Sequence, residues 1–400
     1  MLLNFRELCE TAVRERASDI IISTNSPISF RIDGDVVQLD GKKLNSEETR
    51  ELIESIFDTE QKAAFNRNKE LDFSYDIKGL CRFRINAYMQ KSTVAASIRP
   101  IPHILPNLSE LNLPDIIEKL ADTQRGLILV TGPAGSGKST TLAAMLDLIN
   151  SRRKSHIITI EDPIEFRHEN KLSIVEQREL HTDTHSFADA IKSVVRQSPD
   201  VIMIGELRDL DTISTAITAA EMGHLVLATL HTIDAAQTIH RITDAFPPTQ
   251  QFQIRIQLAG ALQAIIAQQL IPKDGQKGRI PAVEVLISTS AIKNLIISND
   301  ARQIYTAIHT GKEYGMQSFV QSLKNLYKRG IISFDNARKY SHSPAEFTTA
   351  VLAELDPACK KKHKKGIKRL VKGMLYSAKK KMKAKSGKKT LRTQRENKRD

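Results

Sequence analysis

Cysteine is scarce in this 400-residue chain, and Cys9, Cys81 and Cys359 stand far apart with no CxxC pair. That spacing argues against a disulfide framework or a zinc site and points to a reducing compartment. Long hydrophobic runs are missing too: no stretch of about 18 uninterrupted apolar residues offers a bilayer span. The opening MLLNFRELCETAVRER breaks its apolar pattern with charges and lacks a cleavage signature, which sets aside a secretory signal. A cytoplasmic protein is expected. Acidic residues nearly vanish at the C-terminus, where Cys359 to Asp400 carry 19 Lys and Arg against Glu396 and Asp400. The rest of the chain has 40 basic and 44 acidic residues, a net −4. The overall charge of +13 therefore describes an appendage, and does not make the body a nucleic-acid binder.

What is present is enough apolar content, 40%, for real cores, and a length that suggests two or three domains. Residues 1–99 read as a small α+β domain. An amphipathic helix opens it, short strands follow around Asn-Ser-Pro and Asp-Gly turns, and a polar helix begins at Asn45 or Ser46. LDFSYDI and CRFRINAYMQ then alternate as antiparallel strands around Lys78-Gly79. Three prolines within Arg99–Pro106 favour an extended connector, which places a linker at 100–123. From 124 to 355 buried strands (GLILVTG, HIITIED, VIMIGE, HLVLATLH) alternate with helices, the pattern of an α/β domain with a parallel sheet. Helices are expected to dominate from 249 to about 354. Residues 356–400 form a basic tail. IKRLVKGMLYSAKKKM lines up Ile367, Leu370, Val371, Met374 and Leu375 on one helical face among lysines. Contact through 360–399 with an anionic membrane or with nucleic acid, or a solvated extension, are its three readings.

The sequence GPAGSGKST follows a strand and opens a helix, which makes it a phosphate-binding loop in its proper context. Gly132, Pro133, Ala134, Gly135, Ser136, Gly137, Lys138, Ser139 and Thr140 are thus the expected nucleotide-binding set. Lys138 is expected to reach the β- and γ-phosphates of ATP, and the Ser139 hydroxyl to ligate Mg²⁺. Hydrolysis further needs a carboxylate for the attacking water and another for the metal shell. EDPIE supplies Glu161, Asp162 and Glu165 at the end of one strand, and Glu206 ends another. Ligands of open α/β sheets bind beyond the carboxyl ends of the strands, so these acids face the loop. His224 and His231 flank the strand Leu225–Leu230 and are on the order of 20 Å apart at 3.3 Å per residue. His231 is expected at the nucleotide and His224 at the opposite edge, in a structural or subunit-contact role.

With these residues in hand the chain resembles the PilT/PilU family of type IV pilus retraction ATPases. RASDIIIS, RFRINAY, GPAGSGKSTTLAAM, ITIEDPIEF, PDVIMIGELRDLDT, GHLVLATLHT and GMQSF carry the likeness, in the family's order, over roughly residues 1–350. The resemblance implies a PAS-like N-terminal domain and a RecA-like P-loop ATPase domain. It further implies a homo-hexamer at the inner-membrane pilus base, with a pilus platform protein and a paralogous retraction ATPase as partners. Carried over by residue, Glu165 is the general base, Glu206 holds Mg²⁺ through water beside Glu161, and His231 contacts the γ-phosphate. Arg82 and Arg84, with Arg99, approach the phosphates from the N-terminal domain. The expected function is an ATP-driven motor for pilus retraction and twitching motility. A pilus-assembly or type II secretion ATPase, a nucleic-acid-translocating motor and a non-hydrolysing ring are the alternatives. One stretch departs from the family: AIKNLIISND puts Lys293, Ile297 and Ser298 where AIRNLIRE has Arg, Arg and Glu. That departure keeps an accessory, PilU-like role open.

Overall fold

The structure is a computed structural model that describes residues 4–15, 17–32, 35–101 and 105–354. The basic tail, with Cys359 and the proposed contact segment 360–399, lies outside the described residues, as does 102–104 of the expected linker. The chain divides into two compact units, Met1–Ser322 and Leu323–Asp400.

The first unit holds two sheets. Around the N-terminal one are α1 (Phe5–Arg14), β1 (Asp19–Ile22), β2 (Ser29–Ile32), β3 (Asp35–Gln38), α2 (Ser46–Glu54) and α3 (Thr59–Asn68). β4 (Glu70–Ile77), β5 (Cys81–Gln90) and β6 (Thr93–Ile101) complete it in the order β3-β2-β1-β6-β5-β4, antiparallel throughout. Asn45 is the helix cap: its side chain accepts the Glu48 N–H at 2.8 Å, and Glu48 accepts the Asn45 N–H at 3.0 Å. This reciprocal pairing satisfies two otherwise orphaned donors and fixes where α2 starts. The β4–β5 hairpin turns at Lys78-Gly79 as expected, with Gly79 at φ 82° where L-residues are strained. β6 continues through Arg99, Pro100 and Ile101, which pair with Arg84, Phe83 and Arg82, so the proline-rich stretch begins inside the sheet.

The second sheet is built on α4 (Ile116–Ala121), β7 (Gly126–Thr131), α5 (Lys138–Arg152), β8 (His156–Glu161), β9 (Ile174–Glu179) and α6 (Phe187–Val194). β10 (Val201–Ile204), α7 (Leu210–Glu221), β11 (Leu225–Leu230), α8 (Ala235–Asp244), α9 (Gln251–Ala261), β12 (Leu262–Pro272) and β13 (Arg279–Ile287) follow. The order is β13-β12-β7-β11-β10-β8-β9, parallel except for β13. Ile117 and Leu120 of α4 are buried in its core, so part of the 100–123 stretch belongs to this layer rather than to an extended connector. The face that each side chain takes alternates along each strand, since successive side chains leave opposite faces. Leu127, Leu129, Ile202 and Ile204 pack under α6 and α7, while Ile128, Val130, Val201 and Met203 pack under α5. Both faces are covered, which is why these strands read as unbroken apolar runs.

Two strands depart from the expectation of helices after 249. β12 and β13 pair across Ala264–Pro272 and Arg279–Ile287. The run LQAIIAQQLIP is largely buried on both faces, and such a run carries no periodicity to separate a buried strand from a buried helix. β9 was hidden for the opposite reason: it is a polar edge strand, IVEQRE. α10 (Ser290–Ser298) and α11 (Ala301–Thr310) pack on the core, and α12 (Phe319–Lys328) leads into the second unit. There α13 (Phe334–Tyr340) and α14 (Pro344–Glu354) enclose an aromatic cluster. The Phe334 ring lies 5.7 Å from Tyr327 and 5.6 Å from Phe347. Among the described residues no helix is long and apolar enough to cross a membrane.

Candidate functional site

Register places the site. Leu230 pairs with Thr131, and Ile204 pairs with both Ala228 and Ile160, so β7, β8, β10 and β11 end on one edge. Whatever follows each strand is therefore delivered to a common rim. Gly132, Glu161, Glu206 and His231 arrive there from four separate stretches of chain.

The loop after β7 wraps tightly. Gly132, Gly135 and Gly137 have φ of 142°, 72° and 91°, all in the left-handed half. A Cβ on Gly132 would collide with the Gln268 carbonyl oxygen, so side-chain-bearing residues are excluded there sterically as well. Lys138 Nζ folds back over the loop, donating to the Gly132 carbonyl at 2.9 Å and the Pro133 carbonyl at 3.2 Å. Burial pulls its ammonium below the ordinary lysine range, with Glu206 and Glu165 acting in the opposite sense. Ala134, Gly135 and Ser139 line the cleft with it; Ser136 is buried beneath, and Thr140 is half-buried on the helix.

His231 connects this loop to the acidic wall. Its Nδ1 stands 3.4 Å from Lys138 Nζ, and its Nε2 stands 3.2 Å from Glu206 Oε1. Arg208 donates to Glu206 Oε2 at 2.7 Å and lies 3.4 Å from Asp162 Oδ2, which ties the two acidic strand ends together. Glu161 is buried and accepts hydrogen bonds from the Thr159 hydroxyl at 2.7 Å and from Gln177 Nε2 at 3.0 Å. Burial outweighs those bonds and pushes its carboxyl up to about 7. Glu165 is exposed on the same loop, while its backbone N–H bonds to Glu161.

One cleft of about 300 Å³ is lined by Lys138, Ser139, Glu161, Glu165, Glu206 and His231 together. Arg84 and Arg99 of the N-terminal sheet line it too. Arg84 forms a two-point pair with Asp72, Nη2 to Oδ2 at 2.8 Å, and that bond, with Asp72, Asp162 and Glu165 nearby, raises its guanidinium further. Arg99 reaches Asp19 at 2.8 Å. Arg82 is placed elsewhere: it is half-buried against Glu179 of β9, with Asp76 at 3.8 Å, and does not line the cleft. His224 sits at the opposite edge, where its Nδ1 is 2.8 Å from the Pro199 carbonyl oxygen, a structural contact as expected.

Four cleft or support residues were not singled out from the sequence: Gln177, Arg208, His168 and Gln268. Gln177 clasps the loop after β8, donating to Glu161 and to the Phe166 carbonyl at 2.8 Å while accepting the His168 N–H at 2.9 Å. Arg208 stands two residues past Glu206 within PDVIMIGELRDLDT, a signal that charge pairing alone could have flagged.

Comparison with known proteins supplies the relationships. A model of the type II/IV secretion system protein family matches residues 2–339. The type IV pilus retraction ATPase PilT of Pseudomonas aeruginosa is 45% identical over 86% of this chain and all of its own length. The type IV pilus ATPase PilU of the same organism is 40% identical over 85% of this chain and 89% of its own. A crystal structure of the pilus retraction motor PilT with bound ADP superposes with a TM-score of 0.81 at 46% identity, covering 86% of this chain and 98% of that one.

Proposed function

The chain belongs to the type II/IV secretion system protein family as one of its ATPases, and we propose that it hydrolyses ATP to drive type IV pilus retraction. The reading is supported above all by the convergence of Lys138, Glu165, Glu206 and His231 on a single cleft beside the phosphate loop. In this reading twitching motility is the cellular output.

In this reading the loop N–H groups and the positive end of α5 hold the ATP phosphates. Lys138 exchanges its carbonyl partners for the β- and γ-phosphates. Glu165, exposed at the cleft, orients the attacking water and takes its proton as the γ-phosphoryl group passes to that water, giving ADP and phosphate. His231, between Lys138 and Glu206, contacts the γ-phosphate. Arg84 and Arg99 add positive charge from the N-terminal sheet. Arg82, paired with Glu179, is left out of that role in this reading.

Mg²⁺ prefers hard oxygen donors, keeps several waters and leans on substrate phosphates. The Ser139 hydroxyl and the Glu206 and Glu161 carboxylates, all lining the cleft, fit that donor set. Ser139 would hold the ion directly, Glu206 through water, with Glu161 behind them. Bound there, the ion would neutralise charge on the β- and γ-oxygens. We further place the protein as a homo-hexameric ring, cytoplasmic and peripheral at the inner membrane, against the pilus platform protein.

Deleting the gene tests the assignment: hyperpiliated, non-twitching cells are expected, restored by the wild-type chain and not by Lys138→Ala. Bald cells would overturn retraction in favour of assembly. A second reading, an accessory member working with a paralogous ATPase, is favoured by Lys293, Ile297 and Ser298 on α10. It predicts that the chain restores twitching only where the paralogue is present.

A further inference from the structure

We propose that Gln268 is a positioning residue for the phosphate loop, drawing the Ser136 carbonyl toward the neighbouring strand so that the following N–H stays aimed at phosphate. The inference rests on the reading of the cleft as an ATP site.

β12 runs parallel to β7 with Ala267 opposite Thr131, so Gln268 lies beside the first residues of the loop. Its side chain is buried, 3% exposed, and both ends of its amide are used. Oε1 accepts the Thr141 hydroxyl at 2.9 Å, and Nε2 donates to the Ser136 carbonyl at 2.7 Å. Ser136 precedes Lys138 and Thr141 follows it. One side chain thus clamps the end of the loop to the first turn of α5, on either side of the lysine.

The backbone presses from the same side. The Gln268 carbonyl oxygen occupies the space a Cβ at Gly132 would need, and Nε2 lies 2.9 Å from where a Cβ at Gly137 would sit. Gly132 is therefore demanded by closeness to the Gln268 backbone as well as by its positive φ, and Gly137 packs against the Gln268 side chain. The consequence follows from peptide planarity. In a trans peptide the C=O and the next N–H point in opposite directions. Drawing the Ser136 carbonyl toward Gln268 turns the Gly137 N–H away from β12. A loop released from Gln268 gains freedom at the peptide that must present a donor to phosphate, and an unclamped amide of this kind can rotate to offer its carbonyl instead. An unmade buried hydrogen bond at Thr141 or Ser136 adds its own penalty.

The test uses the purified full chain with ADP and Mg²⁺ as the probe. Gln268→Leu should weaken ADP binding by about 10- to 100-fold, since one or two buried hydrogen bonds are lost. KM for ATP should rise more than kcat falls. Thr141→Val should weaken binding less, and the double variant should be no weaker than Gln268→Leu alone, because both act through one link. Gln268→Glu keeps an acceptor for Thr141 but sets an oxygen against the Ser136 carbonyl, and should not restore binding. Gln268→Leu with unchanged ADP affinity overturns the proposal, whether its melting temperature is unchanged or lowered, since a lowered one alone marks a merely structural role. If Gln268→Leu does not fold, Thr141→Val with wild-type ADP affinity overturns it equally. Wild-type protein that binds no ADP would overturn the nucleotide reading itself, and this inference with it.

Discussion

His231 and Glu206 face each other across 3.2 Å, imidazole Nε2 to carboxylate Oε1, while the other ring nitrogen stands 3.4 Å from the Lys138 ammonium. A single imidazole therefore links the phosphate loop to the acidic end of β10. Movement of a γ-phosphate against Lys138 would be felt at Glu206 through this ring. His231→Ala should lower kcat by about 10²- to 10³-fold, within the range for a group contacting the reacting phosphoryl. ADP affinity should stay within about threefold. Steady-state ATP turnover and ADP titration of the same preparation check both parts.

Arg82 and Arg84 should separate by experiment. Arg82 is 13% exposed and pairs with Glu179, 8% exposed, which also accepts the Ile164 N–H at 3.1 Å. Removing one partner of a buried pair strands the other, at a cost of about 3–5 kcal/mol. Arg82→Ala should thus lower the melting temperature by many degrees. Arg84→Ala should leave melting nearly unchanged, because its pair with Asp72 is well exposed, and should lower kcat instead. Thermal melts and turnover on both variants give the comparison.

Those two arginines also mark what the sequence could and could not tell. They are two apart on β5, hence on one face, and RFRINAY gives no reason to treat them differently. What distinguishes them is the strand opposite Arg82, β9, whose polar pattern concealed it. The phosphate loop and the four acidic or imidazole groups were legible because each ends or closely follows a strand inside one contiguous motif. Parallel register did the rest. Gln268 was not legible. Its partners lie 127 and 132 residues away in sequence, and the strand bearing it reads as readily as a buried helix. His224 and His231 could be told apart, since strand direction alone sends them to opposite edges.

The pH dependence of stability carries a signature of Glu161. Its carboxyl titrates near 7 in the folded protein, above its ordinary value, because burial disfavours the anion. The folded state therefore holds a proton that the unfolded state has already released, and stability falls as pH rises through the window from about 4.5 to 7. Glu161→Gln removes this group from the balance. Relative to wild type the variant should gain stability between pH 5 and pH 8, by an amount on the order of 3 kcal/mol. Denaturant unfolding at both pH values measures the difference. A variant tracking wild type at both would place the Glu161 carboxylate in a more solvated setting.

Gly132 and Gly135 should respond differently to alanine. At Gly135 a Cβ meets nothing within 4 Å, so the cost is the left-handed backbone alone, about 1–2 kcal/mol. At Gly132 it would collide with the Gln268 carbonyl, and the loop must shift. Gly135→Ala should retain measurable ADP binding, whereas Gly132→Ala should lose it. Calorimetric titration with ADP and Mg²⁺ checks the pair.

The central claim is that the cleft joining Lys138, Glu165, Glu206 and His231 hydrolyses ATP, with Glu165 acting on the water. Single-turnover hydrolysis by Glu165→Gln, alongside its ATP affinity, tests this most directly. The account predicts ATP affinity close to wild type and cleavage slowed by at least about 100-fold. Cleavage at the wild-type rate with ATP bound would contradict it.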